Sequence, residues 1–385
     1  MPDMIPNQRH LFDIPEDMAY LNCATMSPLS KTALAAGQTG LARKAQPWTI
    51  PTPDFFKDTD SLRPKLARLI NADTNGIAFV PSVSYGMATA AKNIKIEAGQ
   101  NIVTMADQFP SNVYVWRDMA ARSGTALNMV SNEGTNMSLS DAVLEAIGPD
   151  TRLVACAQIR WTDGAKLDLE AIGAKCREVG AAFVLDLTQS CGAMAFDVAK
   201  IQPDFVVCAA YKWMLGPYAT GFMYIAPAHR AGTPLEHGWI TREGARDFSQ
   251  LTNYTDTYEP GAQRFDMGER SNFALLPAFE AGIDQLLDWG VENIEHTLGM
   301  RNLALAEELA AIGAPCPPAS ERGPHYLCAL WPDTGPSNVI EQLSAQNICI
   351  SQRGPFLRIT PHLYNSQDDQ SRLIEALKRI LSQGS

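Results

Sequence analysis

Short apolar segments alternate with longer segments of helical pattern between about residues 77 and 226. The apolar segments are rich in β-branched and aromatic residues and have the length of strands, which predicts strands at 77–80, 101–105, 152–158, 182–187, 204–210 and 221–226. Helical patterns occupy 84–96, 111–121, 139–147 and 169–179, and Asp168 precedes the last of these as a candidate N-cap. Apolar strands separated by helices are typical of a mostly parallel sheet covered on both faces. We therefore predict an α/β fold for this part of the chain.

The pattern changes after residue 226. Residues 227–264 are rich in Gly, Pro, Trp and Tyr and predict a long irregular segment. A helical pattern then runs with one break from about 276 to 312, and shorter strand-like segments (HYLCALW, ICISQ, FLRIT) precede a closing helix at 368–381. This order predicts a large α/β domain at 21–264 and a smaller α+β domain at 265–385. We expect the N-terminal arm, residues 1–20, to pack on the smaller domain.

Composition narrows the classes of function. The chain has 385 residues and a net charge of −11, which disfavours general affinity for nucleic acid or for an anionic membrane. Its eight cysteines are scattered without a CxxC pair or neighbouring histidines, so we expect no metal site. The start of the chain lacks an apolar signal segment, and no apolar run approaches the ~18 residues of a membrane span. We therefore expect a cytoplasmic protein.

Three polar features follow predicted strands, where ligands of open α/β sheets bind. Asp186 ends an apolar strand, Lys212 follows another, and Ser82 and Ser84 open a helix. Serines at a helix N-terminus suit a phosphate, although they also serve as N-caps for the helix alone. Taken singly, Lys212 is compatible with a surface lysine and Asp186 with a structural hydrogen-bond acceptor.

Taken together, these features match the needs of pyridoxal phosphate. This cofactor needs an amine for its aldehyde, a carboxylate for its ring nitrogen and an anion site for its phosphate. The carboxylate keeps the ring nitrogen protonated, because it raises the pKa of that nitrogen. No GxxxxGK[ST] loop, HExxH or GxSxG motif in the sequence competes with this interpretation.

The segment DLTQSCGAMAFDVAKIQPDFVVCAAYKWMLGPYATGFMYI resembles the cofactor signature of the class V aminotransferases, a family of fold-type-I pyridoxal-phosphate enzymes. That group includes cysteine desulfurases, kynureninases and isopenicillin N epimerase. The resemblance runs from LNCATMSPLS to FLRITPHLYNSQDD, and the Asp-x-x-Gln and Lys-Trp-x-x-Gly-Pro pieces together make it specific. It implies the fold-type-I large domain and a pyridoxal-phosphate-dependent enzyme.

The resemblance also implies roles for individual residues. Lys212 would bond to the cofactor aldehyde and move the α-proton of the substrate. The remaining cofactor contacts would be Asp186 on the ring nitrogen, Gln189 on the ring hydroxyl, Phe109 stacked on the ring, and Val83, Ser84 and Tyr211 at the phosphate. Phe109 stands where desulfurases have a histidine, which places proton transfer more heavily on Lys212.

The resemblance implies roles for further residues, and some of these roles have a structural alternative. Trp161 would shape the pocket, or it packs in the core. Arg358 would clamp the substrate α-carboxylate, helped by Asn22, or it forms a structural salt bridge. Ser271 or Asn272 would complete the site of a partner subunit, because the family builds its pocket from two subunits. We therefore expect a homodimer that acts on a small amino-acid substrate.

The type of reaction stays open between transamination, elimination and epimerisation. A persulfide-forming desulfurase needs a reactive cysteine on a mobile loop, whereas Cys349 and Cys328 lie in strand-like segments and are expected to be buried and inert. We predict an aminotransferase; the alternatives are a cysteine-independent C–S lyase and an amino-acid epimerase. An alternative of another class is a non-catalytic protein that binds the cofactor.

Overall fold

The computed structural model describes residues 2–383. Within these residues a central sheet contains seven strands, and two small sheets lie apart from it. The strands of the central sheet are β2 (Ile77–Phe79), β3 (Asn101–Met105), β4 (Ala126–Val130), β5 (Thr151–Ala157), β6 (Ala182–Asp186), β7 (Phe205–Ala209) and β8 (Gly221–Ile225). The small sheets contain β1 (Ala19–Tyr20), β9 (Leu327–Leu330), β10 (Ile348–Cys349), β11 (Ser351–Arg353) and β12 (Phe356–Ile359).

The central sheet has the order β2-β8-β7-β6-β5-β3-β4. All neighbours are parallel except β8, which is antiparallel to both β2 and β7. Six strands therefore point the same way, and five of them, β2, β3, β5, β6 and β7, are followed by the segments that carry the predicted site. The parallel arrangement brings these segments to one edge of the sheet.

Helices cover both faces of this sheet. The helices of residues 2–383, of which α10 and α11 belong to the C-terminal part, are α1 (Lys31–Arg43), α2 (Asp54–Leu69), α3 (Val83–Asn93), α4 (Tyr114–Ser123), α5 (Leu139–Ala146), α6 (Leu169–Val179), α7 (Val198–Ile201), α8 (Leu275–Trp289), α9 (Val291–Ala311), α10 (Val339–Ser344) and α11 (Gln367–Gln383). Along β6, Phe183 and Leu185 enter one apolar core while Ala182 and Val184 enter a second. This alternation shows that both faces are buried, so the predicted α/β fold is confirmed.

A third apolar core lies in the C-terminal part of the chain. It contains Leu305, Leu327 and Leu373 from α9, β9 and α11. Strand β12 pairs antiparallel with β9 and β11, whereas β10 pairs parallel with β1 near the N-terminus. Mixed strands and helices of this kind agree with the predicted α+β arrangement.

The N-terminal arm contacts this C-terminal part. The Ile5 amide donates to Thr297 Oγ1 at 2.9 Å, and Arg9 forms an ion pair with Asp369 at 3.0 Å. The boundary at residue 264 stays a prediction. Within residues 2–383, none of the helices combines the length and the apolar composition that a membrane crossing needs.

The sequence pattern missed several elements. It assigned nothing to residues 21–76, where α1 and α2 lie, and it missed the half-exposed edge strand β4. The predicted strand ICISQ is divided between β10 and β11, which belong to different sheets. By contrast, Asp168 accepts a hydrogen bond from the Ala171 amide at 3.0 Å and caps α6 as predicted.

Candidate active site

A cavity of about 410 Å³ lies at the carboxyl edge of the central sheet. Segments after β2, β3, β5, β6 and β7 form its walls. Eight of the residues that the resemblance places at the cofactor line it: Val83, Ser84, Phe109, Trp161, Asp186, Gln189, Tyr211 and Lys212. The structure therefore brings together side chains that are up to 129 positions apart in the chain, from Val83 to Lys212.

The N-terminus of α3 forms one end of the cavity. Ser82 is the N-cap, since its hydroxyl accepts a hydrogen bond from the Tyr85 amide at 3.2 Å. Ser84 is therefore not needed as a cap, and its hydroxyl bonds to Ser111 at 3.0 Å. The first turn of a helix presents unpaired N–H groups and a positive dipole end, which together suit an anion such as phosphate.

Gly86 lets α3 lie close to the sheet. A Cβ at this position would come within 2.5 Å of Cγ1 of Val207 on β7. Only a glycine allows this separation, and the close approach positions the first turn of α3 at the cavity.

Lys212 is buried, with 6% of its surface exposed. Its Nζ atom lies 5.4 Å from the centre of the Phe109 ring and 5.5 Å from that of Tyr211. The pKa of Lys212 is lowered to about 8, mainly by burial; the charge of Asp186 opposes this shift, and the charge of Arg358 contributes to it. The amine is thus partly neutral near physiological pH, and a neutral amine is nucleophilic.

Asp186 ends β6 and is buried. Its Oδ1 atom accepts a hydrogen bond from the Thr188 amide at 2.9 Å. Burial raises the pKa of this carboxyl group, whereas Thr188 and the charge of Lys212 act in the opposite direction. A ligand that carries a proton at this point would provide the partner that a buried carboxylate requires.

Gln189 is anchored from three sides. Its Nε2 atom donates to the Ala24 carbonyl at 3.1 Å, and its Oε1 atom accepts from Trp213 Nε1 at 3.1 Å. His325 also bonds to its main-chain oxygen at 2.7 Å. These contacts hold the Gln189 side chain at the cavity wall. They also fix the direction of the second N–H bond of its amide group.

Aromatic side chains form part of the cavity wall. Phe109 and Trp161 pack edge to face with ring centres 5.5 Å apart, and Trp161 Nε1 donates to the Asp107 carbonyl at 2.7 Å. Tyr211 packs on Tyr218 with ring centres 4.6 Å apart. Burial raises the pKa of Tyr211 to about 12, so its hydroxyl stays protonated at neutral pH.

Arg358 is almost completely buried, with 1% exposed, and donates only to neutral oxygens. Its acceptors are Ser351 Oγ at 2.9 Å, the Trp161 carbonyl at 3.2 Å and Thr25 Oγ1 at 2.6 Å. Within residues 2–383 no carboxylate lies within 4.0 Å of it, so the alternative of a structural salt bridge does not hold. A buried guanidinium without an acidic partner fits a site for an anionic ligand.

Asn22 belongs to the same network. Its Oδ1 atom accepts hydrogen bonds from Thr25 Oγ1 at 2.8 Å and from Ser351 Oγ at 3.2 Å. Sequence reasoning missed Thr25 and Ser351, although both hydroxyls hold Arg358. Ser351 could have been found only from the strand register, which places it opposite Arg358.

Ser271 and Asn272 do not line the cavity of their own chain. Ser271 Oγ bonds to the Phe55 carbonyl, and Asn272 Oδ1 accepts from the amides of Ala274 and Leu275 at 3.2 and 2.9 Å. In this chain Asn272 therefore stabilises the entry into α8, and Ser271 joins the preceding segment to α2. A role at a partner's site stays a prediction.

Cys349 differs from the expectation that it is buried and inert. It is half-buried, because β10 ends at this residue and the chain then changes sheet. Its Sγ atom lies 3.9 Å from Asn22 Nδ2, and burial raises the pKa of its thiol. A raised pKa keeps the thiol protonated, so its expected low reactivity has a physical basis even though the burial is incomplete. Cys328 is buried, as expected.

Gln108 also lines the cavity and was missed. It is buried, and its Oε1 atom accepts a hydrogen bond from the Phe109 amide at 2.8 Å. This contact orients the loop that carries Phe109. Its position next to Phe109 was the available signal, but a glutamine in a polar loop is not informative by itself.

The donor set fits pyridoxal phosphate. The cavity provides a buried amine with a lowered pKa, a buried carboxylate, an aromatic wall and a helix N-terminus, as this cofactor requires. Together with the parallel sheet, these residues define a fold-type-I pyridoxal-phosphate-dependent enzyme.

The chain belongs to the aminotransferase class-V family, whose model matches residues 51–357. A kynureninase from Deinococcus radiodurans is 27% identical over 294 residues, which cover 73% of this chain and 68% of that protein. An isopenicillin N epimerase from Streptomyces clavuligerus is 24% identical over 334 residues, covering 83% of both chains. The family that the sequence resembled is thus confirmed.

The fold is similar to that of solved enzymes. A structure of C-DES with glycine covalently linked to its pyridoxal-phosphate cofactor has a TM-score of 0.85 and 20% sequence identity, and the match covers 97% of this chain and 99% of that one. The relatives in this family differ in the reactions that their names describe, so the reaction has to be argued from the site.

Proposed function

We propose that this chain is an aminotransferase that accepts the amino group of an α-amino acid. The observation that carries this proposal is the pairing of a buried, partly neutral Lys212 with a buried Arg358 that has no acidic partner. The first supplies an amine for the cofactor and a base for the substrate. The second supplies a site for the α-carboxylate.

Pyridoxal phosphate, when bound, supplies an electron sink for the charge that develops at the α-carbon. Lys212 would hold the cofactor until an amino acid displaces it, and Lys212 Nζ would then take the α-proton. A pKa of about 8 suits this step, since a general base works best when its pKa lies near the working pH.

Other residues of the cavity would orient the reactants. Asp186 would pair with the protonated ring nitrogen, and Gln189 would donate to the ring hydroxyl. Phe109 would stack on the ring but cannot exchange protons, which leaves proton transfer to Lys212. The first turn of α3, with Val83, Ser84 and the hydroxyl of Tyr211, would bind the phosphate; all three residues line the cavity.

Arg358 would orient the substrate through its α-carboxylate. Its present acceptors, two hydroxyls and a carbonyl, are neutral, so an anionic ligand would form stronger hydrogen bonds with the same fork. Asn22 would hold the two hydroxyls in place from behind.

A persulfide mechanism is disfavoured by the segment that precedes Arg358. Residues Ser351–Arg353 and Phe356–Ile359 form a tight hairpin rather than a mobile loop. Cys349 lies before this hairpin, and burial raises the pKa of its thiol. Lyase or epimerase action that needs no cysteine stays an alternative for the experiment to decide.

The proposal includes a homodimer. Large apolar side chains are exposed in the single chain: Leu34 and Leu41 on α1 are 45% and 64% exposed, and Trp48 is 80% exposed. Exposed apolar residues of this kind are typical of protein interfaces. In such a dimer, Ser271 or Asn272 would reach the partner's phosphate site; light scattering that finds only monomers in the active enzyme would contradict this. The cytoplasmic location expected from the sequence stays a prediction.

The reaction is tested by incubating the enzyme, loaded with pyridoxal phosphate, with amino acids and an excess of a 2-oxo acid. Transfer of a ¹⁵N label to the 2-oxo acid is the result expected for an aminotransferase. Without the oxo acid, loss of the yellow absorbance in a single turnover is expected, because the amino group stays on the cofactor. Continuous release of sulfide or ammonia would instead identify a lyase, and exchange of stereochemistry without label transfer would identify an epimerase.

A further inference from the structure

Two arginines project from the same face of the β11–β12 hairpin. Ser351 pairs with Arg358, and Arg353 pairs with Phe356. Directly opposed residues of an antiparallel pair share a face, and so do residues two apart on one strand. Arg353 therefore lies diagonally across from Arg358, on the face that carries the proposed carboxylate site.

Both guanidinium groups contact Trp161. Arg358 Nη1 donates to the Trp161 carbonyl at 3.2 Å, while Arg353 lies over the Trp161 ring, with Cζ 5.3 Å from the ring centre. The Trp161 ring also packs edge to face with Phe109, whose ring centre lies 5.4 Å from Lys212 Nζ. The hairpin thus places two positive charges against Trp161, which lines the cavity together with Lys212.

These two charges have no acidic partner. Within the described part of the chain, neither arginine has a carboxylate within 4.0 Å, a feature that they share with Arg301 and Arg322, whereas Arg63 pairs with Asp266 and Arg160 with Asp163. The hydrogen bond described for Arg353 goes to the carbonyl of its own neighbour, Gln352, at 2.6 Å. Burial and the charge of Arg358 both lower the pKa of Arg353, which shows that the two groups repel each other.

We propose that Arg353 binds a second anionic group of the substrate, so that the enzyme selects α-amino acids with a carboxylate in the side chain. The α-carboxylate would lie on Arg358 and the side-chain carboxylate on Arg353, each relieving a charge that the protein leaves unpaired. This inference rests on the proposed function, because it assigns the substrate class of that site. A half-exposed guanidinium can reach a ligand that arrives from solvent, whereas Arg358 is buried.

The alternative for Arg353 is packing alone, through its contact with the Trp161 ring. Packing would make turnover insensitive to the charge of the substrate side chain. Recognition of a carboxylate makes the charge decisive, so acid and amide pairs of the same shape separate the two possibilities.

The test compares kcat/KM for glutamate with glutamine, and for aspartate with asparagine, in the loaded enzyme. We expect wild type to favour the acids, and Arg353→Gln to lower the acid-to-amide ratio by about tenfold to a hundredfold, as loss of a charge-assisted hydrogen bond does. Arg353→Lys should retain part of the preference. The matched control Arg379→Gln changes an exposed arginine on α11 and should keep the wild-type ratio.

An acid-to-amide ratio near one in wild type, or an unchanged ratio in Arg353→Gln, would overturn the inference. A second readout does not depend on the reaction: calorimetry of the loaded enzyme with succinate and with its monoamide, succinamate. Tighter binding of succinate that is lost in Arg353→Gln would support the inference, and equal binding of the two would overturn it. If no amino acid changes the absorbance of any variant, the proposed function fails, while the calorimetry still decides the role of Arg353.

Discussion

Lys212 and Asp186 influence each other's protonation inside one cavity. Burial lowers the pKa of the lysine and raises the pKa of the carboxyl group, and the attraction between their charges opposes both shifts. The resulting pKa of about 8 for Lys212 means that about a tenth of the amine is neutral at pH 7, against well under a thousandth for an ordinary lysine.

Cofactor capture should follow this titration. In the cofactor-free enzyme, the initial rate at which pyridoxal phosphate becomes bound should rise with pH and level off above about pH 8, since only the neutral amine reacts. Asp186→Asn removes the negative charge that favours protonated Lys212, so the midpoint should move to lower pH. Stopped-flow absorbance measures both profiles; a midpoint near 10, or one that moves to higher pH in Asp186→Asn, would contradict the assignment.

The buried guanidinium of Arg358 should act on substrate binding. Arg358→Gln should raise KM for amino acids by about a hundredfold, the order expected for loss of a charged bidentate contact. The affinity for pyridoxal phosphate, followed by fluorescence, should change far less. Arg358→Lys should reverse only part of this increase in KM, because a lysine keeps the positive charge but not the planar pair of N–H donors.

Equal losses of cofactor and substrate affinity in Arg358→Gln would show that this residue is structural. The exposed Arg379→Gln serves again as the control and should leave both values at the wild-type level.

Single site residues could be predicted from the sequence where a reactive side chain stands near the end of an apolar strand. Asp186 ends one apolar strand, Gln189 and Lys212 lie three residues beyond the ends of β6 and β7, and the parallel sheet brings such positions together. Thr25 and Ser351 were not predictable, because they act by contact with Arg358 across more than 300 residues and within a hairpin register respectively. No sequence pattern around a serine or threonine indicates that its hydroxyl contacts a distant arginine.

At the scale of elements, the position of α3 controls the proposed phosphate site. The helix approaches β7 at Gly86, where a Cβ would lie 2.5 Å from Val207 Cγ1. The opposing atom belongs to a branched side chain in the core, so it has little room to move.

Gly86→Ala should displace the first turn of α3. We expect a loss of about 1–3 kcal/mol in the free energy of unfolding from overpacking, together with weaker binding of pyridoxal phosphate. The matched control is Gly148→Ala, where a Cβ would meet nothing within 4 Å. Chemical denaturation and cofactor titration measure the two effects. If Gly86→Ala is destabilised but its affinity for pyridoxal phosphate is unchanged, the first turn of α3 does not form the phosphate site.

The elements themselves were predicted unevenly. Buried strands such as β6 and β7 are continuous apolar runs and stand out in the sequence. The edge strand β4 is half exposed and carries a mixed pattern, and α1 has only Ala33 and Gly40 buried, so neither gives a clear periodicity. Residues 348–353 read as one strand, because a change of sheet at Ile350 leaves the apolar pattern unbroken.

At the scale of the whole molecule, two neutral histidines are buried where the N- and C-terminal parts of the chain meet. His325 packs edge to face on Trp213 with ring centres 4.4 Å apart, and His362 stacks on Tyr364 at 5.5 Å. Within the described residues, neither ring nitrogen of His362 has a hydrogen-bond partner. Burial lowers the pKa of His325 to about 4 and that of His362 to about 3.

These histidines should make the fold sensitive to acid. The unfolded chain takes up protons near pH 6.5 and the folded chain only near 4 and 3, so stability falls as the pH drops below about 6.5. Each histidine contributes a loss of about 2 kcal/mol between pH 7 and pH 5. His362→Phe keeps the ring packing and should reduce the pH dependence of the free energy of unfolding. Chemical denaturation at pH 7 and pH 5 measures this dependence. The exposed His10→Phe should leave it unchanged, and an equal slope in His362→Phe would contradict the account.

The central claim is that Lys212 holds pyridoxal phosphate in this cavity, and reduction with borohydride followed by peptide mass spectrometry tests it most directly. The reduced enzyme should carry one pyridoxyl-phosphate group per chain, on the peptide that contains Lys212. Lys212→Ala should remain folded by circular dichroism but lose both the label and the yellow absorbance, while the control Lys378→Ala, which changes an exposed lysine on α11, should keep them. A label on another lysine, or full labelling and turnover in Lys212→Ala, would contradict the assignment of the site.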